Sequence, residues 1–106
     1  MSSHSPLEIS FHNDMLTIYR NAKKECGYNA TRFLQMVAID GGLKTAKRLL
    51  GTKEPSDGFT KLWECHRLDL TVENLVSQAK YKELFTSEEI IIAQERLMAY
   101  GYQKQY

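Results

Sequence analysis

Residues 85 to 91 read Phe-Thr-Ser-Glu-Glu-Ile-Ile, and the same order of residue types occurs at residues 70 to 76, Leu-Thr-Val-Glu-Asn-Leu-Val, and 28 to 34, Tyr-Asn-Ala-Thr-Arg-Phe-Leu. Each stretch begins with an apolar residue, which is followed by a polar residue. Three further residues come next, and then two apolar residues. The polar oxygen accepts a hydrogen bond from a first-turn N–H, and the preceding apolar side chain packs back onto that turn. The pattern predicts three helix starts, with N-caps at Asn29, Thr71 and Thr86.

Apolar spacing and glycine stops predict further helices on both sides of these starts. We expect helices over residues 13–26, 29–39, 43–50, about 59–63, 71–81 and 86–100, with a loop at 52–58. No stretch shows the alternation of a strand. The sequence therefore predicts an all-α fold, a compact single-domain bundle of five or six short helices. We expect this domain to cover residues 11–102, after a flexible N-terminal segment at 1–10 and before a frayed tail at 103–106.

Composition limits both the class of protein and its partners. A chain of 106 residues with 42% hydrophobic residues can bury a core without a metal or disulfide. The net charge of +1 provides no overall attraction to nucleic acid or an anionic membrane, so such binding would need a local basic patch. Residues 1 to 10 lack the apolar core of a targeting segment, and no apolar run approaches the roughly 20 residues of a membrane span. We expect a cytoplasmic protein without a membrane partner.

Cysteines and histidines do not form a recognisable metal motif. Cys26 and Cys65 lack paired spacing, and we expect two reduced thiols at small core positions. Cys65 and His66 are neighbours that cannot easily bind one ion from a helix, while His4 and His12 lie in or near the expected flexible terminus. The sequence predicts no metal site and no cofactor.

Catalytic motifs are also missing. Nucleophilic catalysis needs a histidine close to a serine or cysteine, and only His66 is expected inside the fold. The side chain of the preceding Cys65 would diverge from it by about 100 degrees on a helix. First-turn glutamates are explained by helix capping, and the glycine pair at 41–42 follows a helix, unlike a phosphate-binding loop. We expect a protein that is not an enzyme.

The helix predicted at Asn29 differs from the other two in the charge of its first turn. The later helices carry glutamates there, whereas this one reads Ala30-Thr31-Arg32. Free N–H groups, the Thr31 hydroxyl and the Arg32 guanidinium are the chemistry of an anion site, with Tyr28 the nearest aromatic ring for a nucleobase. Tyr28 is also expected to pack on its helix, and Arg32 alternatively pairs with Glu25 or another acid.

A basic stripe on the helix predicted at 43–50 is the second candidate surface. Lys44, Lys47 and Arg48 share a face opposite the apolar one, and the preceding glycine turn resembles that of a helix-turn-helix DNA reader. The front of this helix offers only Lys44 and Thr45 for base recognition, so sequence-specific DNA binding is the weaker hypothesis. The simpler interpretation is that these three side chains form a solvent-exposed helix face that binds no ligand.

Together these features favour a binding module for a phosphate-bearing ligand, either a nucleotide or nucleic acid. Its predicted contacts are Tyr28, Asn29, Thr31, Arg32, Lys44, Lys47 and Arg48. The alternative is a protein interaction module, an inhibitor or accessory subunit, that uses an aromatic surface of Tyr100, Tyr102 and Tyr106 and can form homo-oligomers. Trp63, with Phe59 and Leu62, is expected in the core.

The chain also resembles a small helical domain of uncharacterised bacterial and phage proteins. The resemblance extends from Tyr19 to Tyr102. It rests on the segments GYNATRFLQMV, GGLKTAKRLL, GFTKLWE, RLDLT and LFTSEE. It implies a compact helical unit and attaches no activity, cofactor or site residue.

Overall fold

Six α-helices and two short 3-10 helices make up residues 5–102, the part of the chain that this computed structural model describes. The helices are α1 (Pro6–Cys26), α2 (Thr31–Asp40), α3 (Gly42–Leu50), α4 (Asp57–Glu64), α5 (Val72–Val76) and α6 (Ser87–Ala99). The 3-10 helices, Leu68–Leu70 and Ala79–Leu84, lie immediately before α5 and between α5 and α6. No strand occurs in the described range, which confirms the prediction of a small all-α single-domain bundle.

Helix α1 begins seven residues earlier than predicted. Ser5 is its N-cap, since the Ser5 Oγ accepts a hydrogen bond from the Glu8 N–H at 3.1 Å, and Pro6 occupies the first helical position. Residues 6–10, expected in a flexible segment, are therefore the first turns of a 21-residue helix. Serine, proline and glutamate at these positions are a helix-start signal that the apolar spacing alone does not reveal. Residues 1–4 and 103–106 lie outside the described part of the chain.

Helix α2 is not capped by Asn29, so that prediction is wrong. Its N-cap is Ala30, and no side chain accepts from its first turn. The Asn29 Oδ1 instead accepts a hydrogen bond from the Tyr19 hydroxyl of α1 at 2.6 Å. A neighbouring helix thus takes the oxygen that the local pattern assigned to the cap. The predicted lack of an acid in this first turn is confirmed.

The other two predicted caps are confirmed. The Thr71 Oγ1 accepts from the Asn74 N–H at 3.1 Å at the start of α5. At the start of α6, the Thr86 Oγ1 accepts from the Glu89 N–H at 3.1 Å, and the Thr86 N–H donates to the Glu89 Oε1 at 2.9 Å. The last pair is a complete capping box, in which each residue satisfies a free donor of the other.

Helix α5 ends at Val76, not near Tyr81 as predicted. Two side chains bond to carbonyls of its last turns: the Ser77 Oγ donates to the Glu73 O at 2.8 Å, and the Gln78 Nε2 donates to the Asn74 O at 3.1 Å. Side-chain bonds of this kind compete with continuation of the helix. The chain continues as the 3-10 helix Ala79–Leu84, which inserts Tyr81 into the core.

The core contains two apolar clusters. The larger centres on Phe11, whose ring makes edge-to-face contacts with Tyr81 at 5.0 Å and Phe85 at 5.3 Å between centroids. The smaller joins Phe59, Leu68 and Leu97, with Tyr100 and Tyr102 packed against it. The last two tyrosines are therefore half-buried and not a free aromatic surface. Tyr106 lies outside the described residues.

Trp63, predicted to be in the core, remains 43% exposed. Its ring lies edge-to-face against Tyr100 at 5.3 Å, on the solvent side of the smaller cluster. The residues that occupy the buried positions of α4 are Phe59 and Leu62. Trp63 therefore covers the edge of the smaller cluster and does not fill its centre.

Gly42 is where α3 comes closest to α1. Its N–H donates to the His12 Nδ1 at 2.9 Å, and a Cβ built on Gly42 would lie 2.7 Å from the His12 Cα. Because that atom is backbone, alanine at this position must push the helices apart. We expect Gly42→Ala to lower the free energy of unfolding by about 1 to 3 kcal/mol in urea denaturation.

Gly51→Ala is the matched control. A Cβ built there lies 3.5 Å from the nearest carbonyl oxygens, an ordinary contact, and the backbone is in the right-handed region. We expect this variant to match the parent protein or exceed it by less than about 1 kcal/mol. Equal stability of the two alanine variants would contradict a tight approach of α1 and α3.

Candidate functional site

A cavity of about 180 Å³ lies where α1, α2 and α4 meet the start of α5. Its walls are mainly apolar, formed by Ile18, Phe33, Met36, Phe59, Leu62 and Val72. An apolar cavity of roughly 150 Å³ is enough to hold a benzene molecule. The volume is therefore comparable to that of one aromatic ring. Small cavities with apolar walls and a few polar groups are the usual form of ligand sites.

Polar side chains also line the cavity. Tyr19 comes from α1, Tyr28 and Arg32 from the start of α2, and Ser56 and Asp57 from the start of α4. A Cβ built on Gly58 would lie 3.6 Å from the Tyr28 Cε2, which places the Tyr28 ring beside the first turn of α4. Tyr28 therefore joins two helix starts across the cavity mouth.

Arg32 is exposed and makes no hydrogen bond or ion pair with any residue from 5 to 102. Glu25, the acid proposed as its alternative partner, instead accepts from the Arg67 Nη1 at 2.9 Å. Arg67 also binds Asp69 at 3.0 Å. The pairing of Arg32 with Glu25 is therefore not observed. Arg32 is the cation among the cavity-lining residues.

The start of α2 adds unsatisfied donors next to Arg32. The Thr31 N–H donates to the Asn29 O at 2.9 Å, and the Leu34 N–H donates to the Ala30 O at 3.0 Å. Within residues 5–102, the N–H groups of Arg32 and Phe33 have no acceptor. Helix N-termini with free N–H groups attract anions.

The other helix starts of the bundle differ from that of α2. Those of α1, α4, α5 and α6 each have a side-chain cap and an acid in the first turn. The α3 start likewise has no side chain at its N-cap and no acid in its first turn, but the Gly42 N–H donates to the His12 Nδ1. The α2 start has neither a capping side chain nor an acid.

The floor of the cavity contains a buried ion pair. Glu73 lines the cavity, and its carboxylate accepts from the Arg96 Nη1 at 3.1 Å. Burial raises the pKa of Glu73 above its ordinary value, while the hydrogen bond from Arg96 acts in the opposite direction. Arg96 also donates to the Leu49 O at 3.0 Å and the Thr52 O at 2.5 Å. These three hydrogen bonds join α6 to α5, to the end of α3 and to the loop that follows α3.

The predicted basic stripe on α3 lies away from this cavity. The Lys47 Nζ binds the Glu89 Oε1 at 2.7 Å, and the Arg48 Nη1 lies 3.1 Å from the Asp40 Oδ2. Lys44 and Lys47 line a different groove, beside α1, and Arg48 lines neither space. The ion pair with Lys47 and the capping bonds hold the pKa of Glu89 below its usual value, although burial acts the other way.

Of the seven predicted contact residues, the structure thus brings Tyr28 and Arg32 to the cavity. Thr31 is exposed at the first position of α2 and Asn29 is bonded to Tyr19, so neither lines the cavity. Sequence reasoning missed Tyr19, Ser56 and Asp57. Ser56 and Asp57 carried a signal, since a serine followed by an acid marks a helix start.

Histidine positions also differ from expectation. His12, predicted to lie near a flexible end, is a half-buried residue of α1 whose Nδ1 accepts from Gly42. His66, predicted to lie inside the fold, is exposed with a left-handed backbone, φ 60°.

Among residues 5–102, no three histidine, cysteine or acidic side chains are grouped as metal ligands. No helix in that range is long and apolar enough to cross a membrane.

Comparison with known proteins returns no relative: no family model, curated protein or solved structure matches the chain.

Proposed function

We propose that the protein is a non-enzymatic binding module that holds a phosphate-bearing ligand, a nucleotide in particular, in the cavity between α1, α2 and α4. The observation that carries this proposal is the position of Arg32. It stands at the mouth of an apolar cavity, lacks an ion pair within residues 5–102, and lies beside two N–H groups without acceptors. A guanidinium fork and N–H donors are the groups that bind phosphate oxygens.

The lining of the cavity supports separate binding positions for the two parts of a nucleotide. The phosphate would bind at Arg32, and a planar ring would enter between the apolar walls that include Phe33 and Phe59. Asp57 also lines the cavity, and its carboxylate would accept a hydrogen bond from an exocyclic amino group of the ring. Adenine, cytosine and guanine have an exocyclic amino group, whereas uracil and thymine do not. The expected order is therefore adenosine monophosphate before uridine monophosphate.

The test is a thermal melt with adenosine monophosphate, uridine monophosphate or inorganic phosphate, at low and moderate salt. At a concentration about 100 times the Kd, a ligand adds about 2.7 kcal/mol to stability, which raises Tm by roughly 10 °C in a domain of this size. We expect such a shift with adenosine monophosphate, a smaller one with uridine monophosphate, and its loss in Arg32→Glu because the phosphate then meets a carboxylate.

Arg20→Glu provides the matched control, since Arg20 is an exposed arginine on α1 that does not line the cavity. It changes the net charge by the same amount and should leave the ligand shift intact. Equal weakening by both variants would indicate a general effect of charge. The absence of a shift with every nucleotide would contradict the proposal.

The second candidate function is docking of a protein partner, which exposed aliphatic side chains favour. Ile39 at the end of α2 is 82% exposed and Ile9 of α1 is 51% exposed, and Ile9 lines the groove that also contains Lys44. Large exposed apolar residues beside a groove are a feature of interaction surfaces. A nucleotide panel without any response would favour this function.

DNA reading by α3 has less support than either. Lys47 and Arg48, two of the three basic residues of the stripe, are held by Glu89 and Asp40. Contact with DNA phosphates would require both pairs to break, which offsets part of the gain from each new contact. Lys44 remains as the stripe residue without an ion pair among residues 5–102.

A further inference from the structure

The two cysteines are 39 positions apart in sequence, but the segments that carry them lie together in the fold. Cys26 is the last residue of α1 and Cys65 directly follows α4, and the Cys65 thiol is close enough to the Cys26 thiol to raise its pKa. The ion pair between Glu25 and Arg67, at 2.9 Å, joins the same two segments. Both cysteines are free and half-buried, so small reagents can reach them.

We propose that Cys26 and Cys65 are a thiol pair that a small-molecule disulfide, such as oxidised glutathione, converts into an intramolecular disulfide between the ends of α1 and α4. The proposal is independent of the nucleotide site, since it concerns only the two sulfur atoms and the segments that carry them. The pairing depends on the packing of segments that are far apart in sequence. The spacing of the two cysteines therefore does not predict it.

The reaction proceeds by two exchanges that balance. The Cys65 sulfur loses its proton, attacks one sulfur of oxidised glutathione and releases one glutathione, which leaves a mixed disulfide at Cys65. The Cys26 thiol then loses its proton to solvent, and its sulfur attacks the Cys65 sulfur and releases the second glutathione. The two protein thiols are oxidised by two electrons, and the glutathione disulfide is reduced to two thiols.

The order of attack follows from the surroundings of Cys26. Burial, followed by the neighbouring Cys65 thiol, raises the pKa of Cys26 to about 11, and a thiol that stays protonated at neutral pH reacts slowly as a nucleophile. Once the mixed disulfide forms, the Cys65 sulfur lies close to the Cys26 thiol that attacks it in the second exchange. The positive charge of Arg67 favours the thiolate that Cys26 must form in the second step.

The disulfide would also fix one wall of the cavity. Ala22 of α1 and Leu62 of α4 line the cavity, a short distance along each helix from the cysteines. The turns that follow the cysteines have left-handed backbone, with φ 65° at Gly27 and φ 60° at His66. A covalent link at this point restricts separation of α1 and α4, and it also reduces the freedom of the unfolded chain.

The experiment treats the purified full chain with oxidised glutathione, blocks remaining thiols with an alkylating reagent and analyses a tryptic digest without reduction. Cleavage after Lys24, Arg32, Lys61 and Arg67 places Cys26 in peptide 25–32 and Cys65 in peptide 62–67. We expect these two peptides joined, in a monomer that has lost two hydrogen atoms and both alkylatable thiols. Subsequent reduction should restore both thiols.

Cys26→Ser is the control for the second step. Without the Cys26 thiol, the reaction should stop at the mixed disulfide, so that peptide 62–67 carries glutathione. The proposal is overturned if the unmodified chain gives separate glutathione adducts on the two peptides, two alkylated thiols, or a disulfide between two copies of the chain. None of these results depends on whether a nucleotide binds.

Discussion

Replacement of Arg96 by methionine is expected to lower the free energy of unfolding by about 3 to 5 kcal/mol. The side chain of Arg96 is 10% exposed and that of Glu73 is 3% exposed, and their bond links α6 to α5. Methionine would leave the Glu73 carboxylate buried without a counter-charge. It would also remove the donors of the Leu49 and Thr52 carbonyls, at the end of α3 and in the loop after it. Urea denaturation, with an unchanged m-value, measures the loss.

The pH dependence of this variant has a definite sign. Burial already raises the pKa of Glu73, and loss of Arg96 raises it further. An acid whose pKa is higher in the folded state binds more protons there than in the unfolded chain, so its contribution to stability falls as pH rises through the folded pKa. We therefore expect the deficit of Arg96→Met to be smaller at about pH 5 than at about pH 8.

Arg96→Lys and a double variant separate charge from hydrogen bonding. Lysine keeps the positive charge and loses the planar fork, so its cost should lie between the parent protein and the methionine variant. The double variant Glu73→Met, Arg96→Met removes both charges and should recover part of the loss. A loss below about 1 kcal/mol for Arg96→Met would show that Glu73 reaches solvent easily.

Phe11→Ala is expected to cost about 3 to 5 kcal/mol, the second large effect. Phe11 is fully buried, and its ring contacts Tyr81 and Phe85 from the segment before α6. Alanine would remove both contacts and leave a cavity at the centre of the larger cluster. Thermal and urea denaturation should both report the loss.

Ile9→Ala is the control on the same helix. Ile9 is 51% exposed and lies two residues from Phe11, so its truncation should change stability by less than about 0.5 kcal/mol. Similar small effects for Phe11→Ala and Ile9→Ala would contradict the docking of the first turns of α1.

Local hydrogen bonds explain which helix boundaries were predictable. The caps at Thr71 and Thr86 bond to N–H groups three residues away, so each can be identified from a short stretch of sequence. The same pattern failed at Asn29 because the Tyr19 hydroxyl, ten residues earlier on another helix, occupies its oxygen. Helix α5 ended early because Ser77 and Gln78 bond to carbonyls of that helix, a competition that apolar spacing does not reveal.

The candidate site was only partly accessible from sequence. The charge contrast between helix starts identified Arg32 and the first turn of α2, since both depend on adjacent residues. Asp57 and Phe59 belong to α4 and approach Arg32 only through packing of α1, α2 and α4. The spacing of Lys44, Lys47 and Arg48 predicted a basic face on α3, but it did not predict the ion pairs of Lys47 and Arg48 with Glu89 and Asp40.

The capped helix starts at Thr71 and Thr86, together with apolar spacing and glycine stops, therefore determined the fold class, because these signals act within a few residues of sequence. Tertiary structure decided the rest: that Asn29 binds Tyr19, that Arg32 has a cavity beside it, and that Cys26 meets Cys65. These contacts depend on how whole helices pack. The packing energy comes from many buried apolar atoms across the chain, so no single sequence motif predicts it.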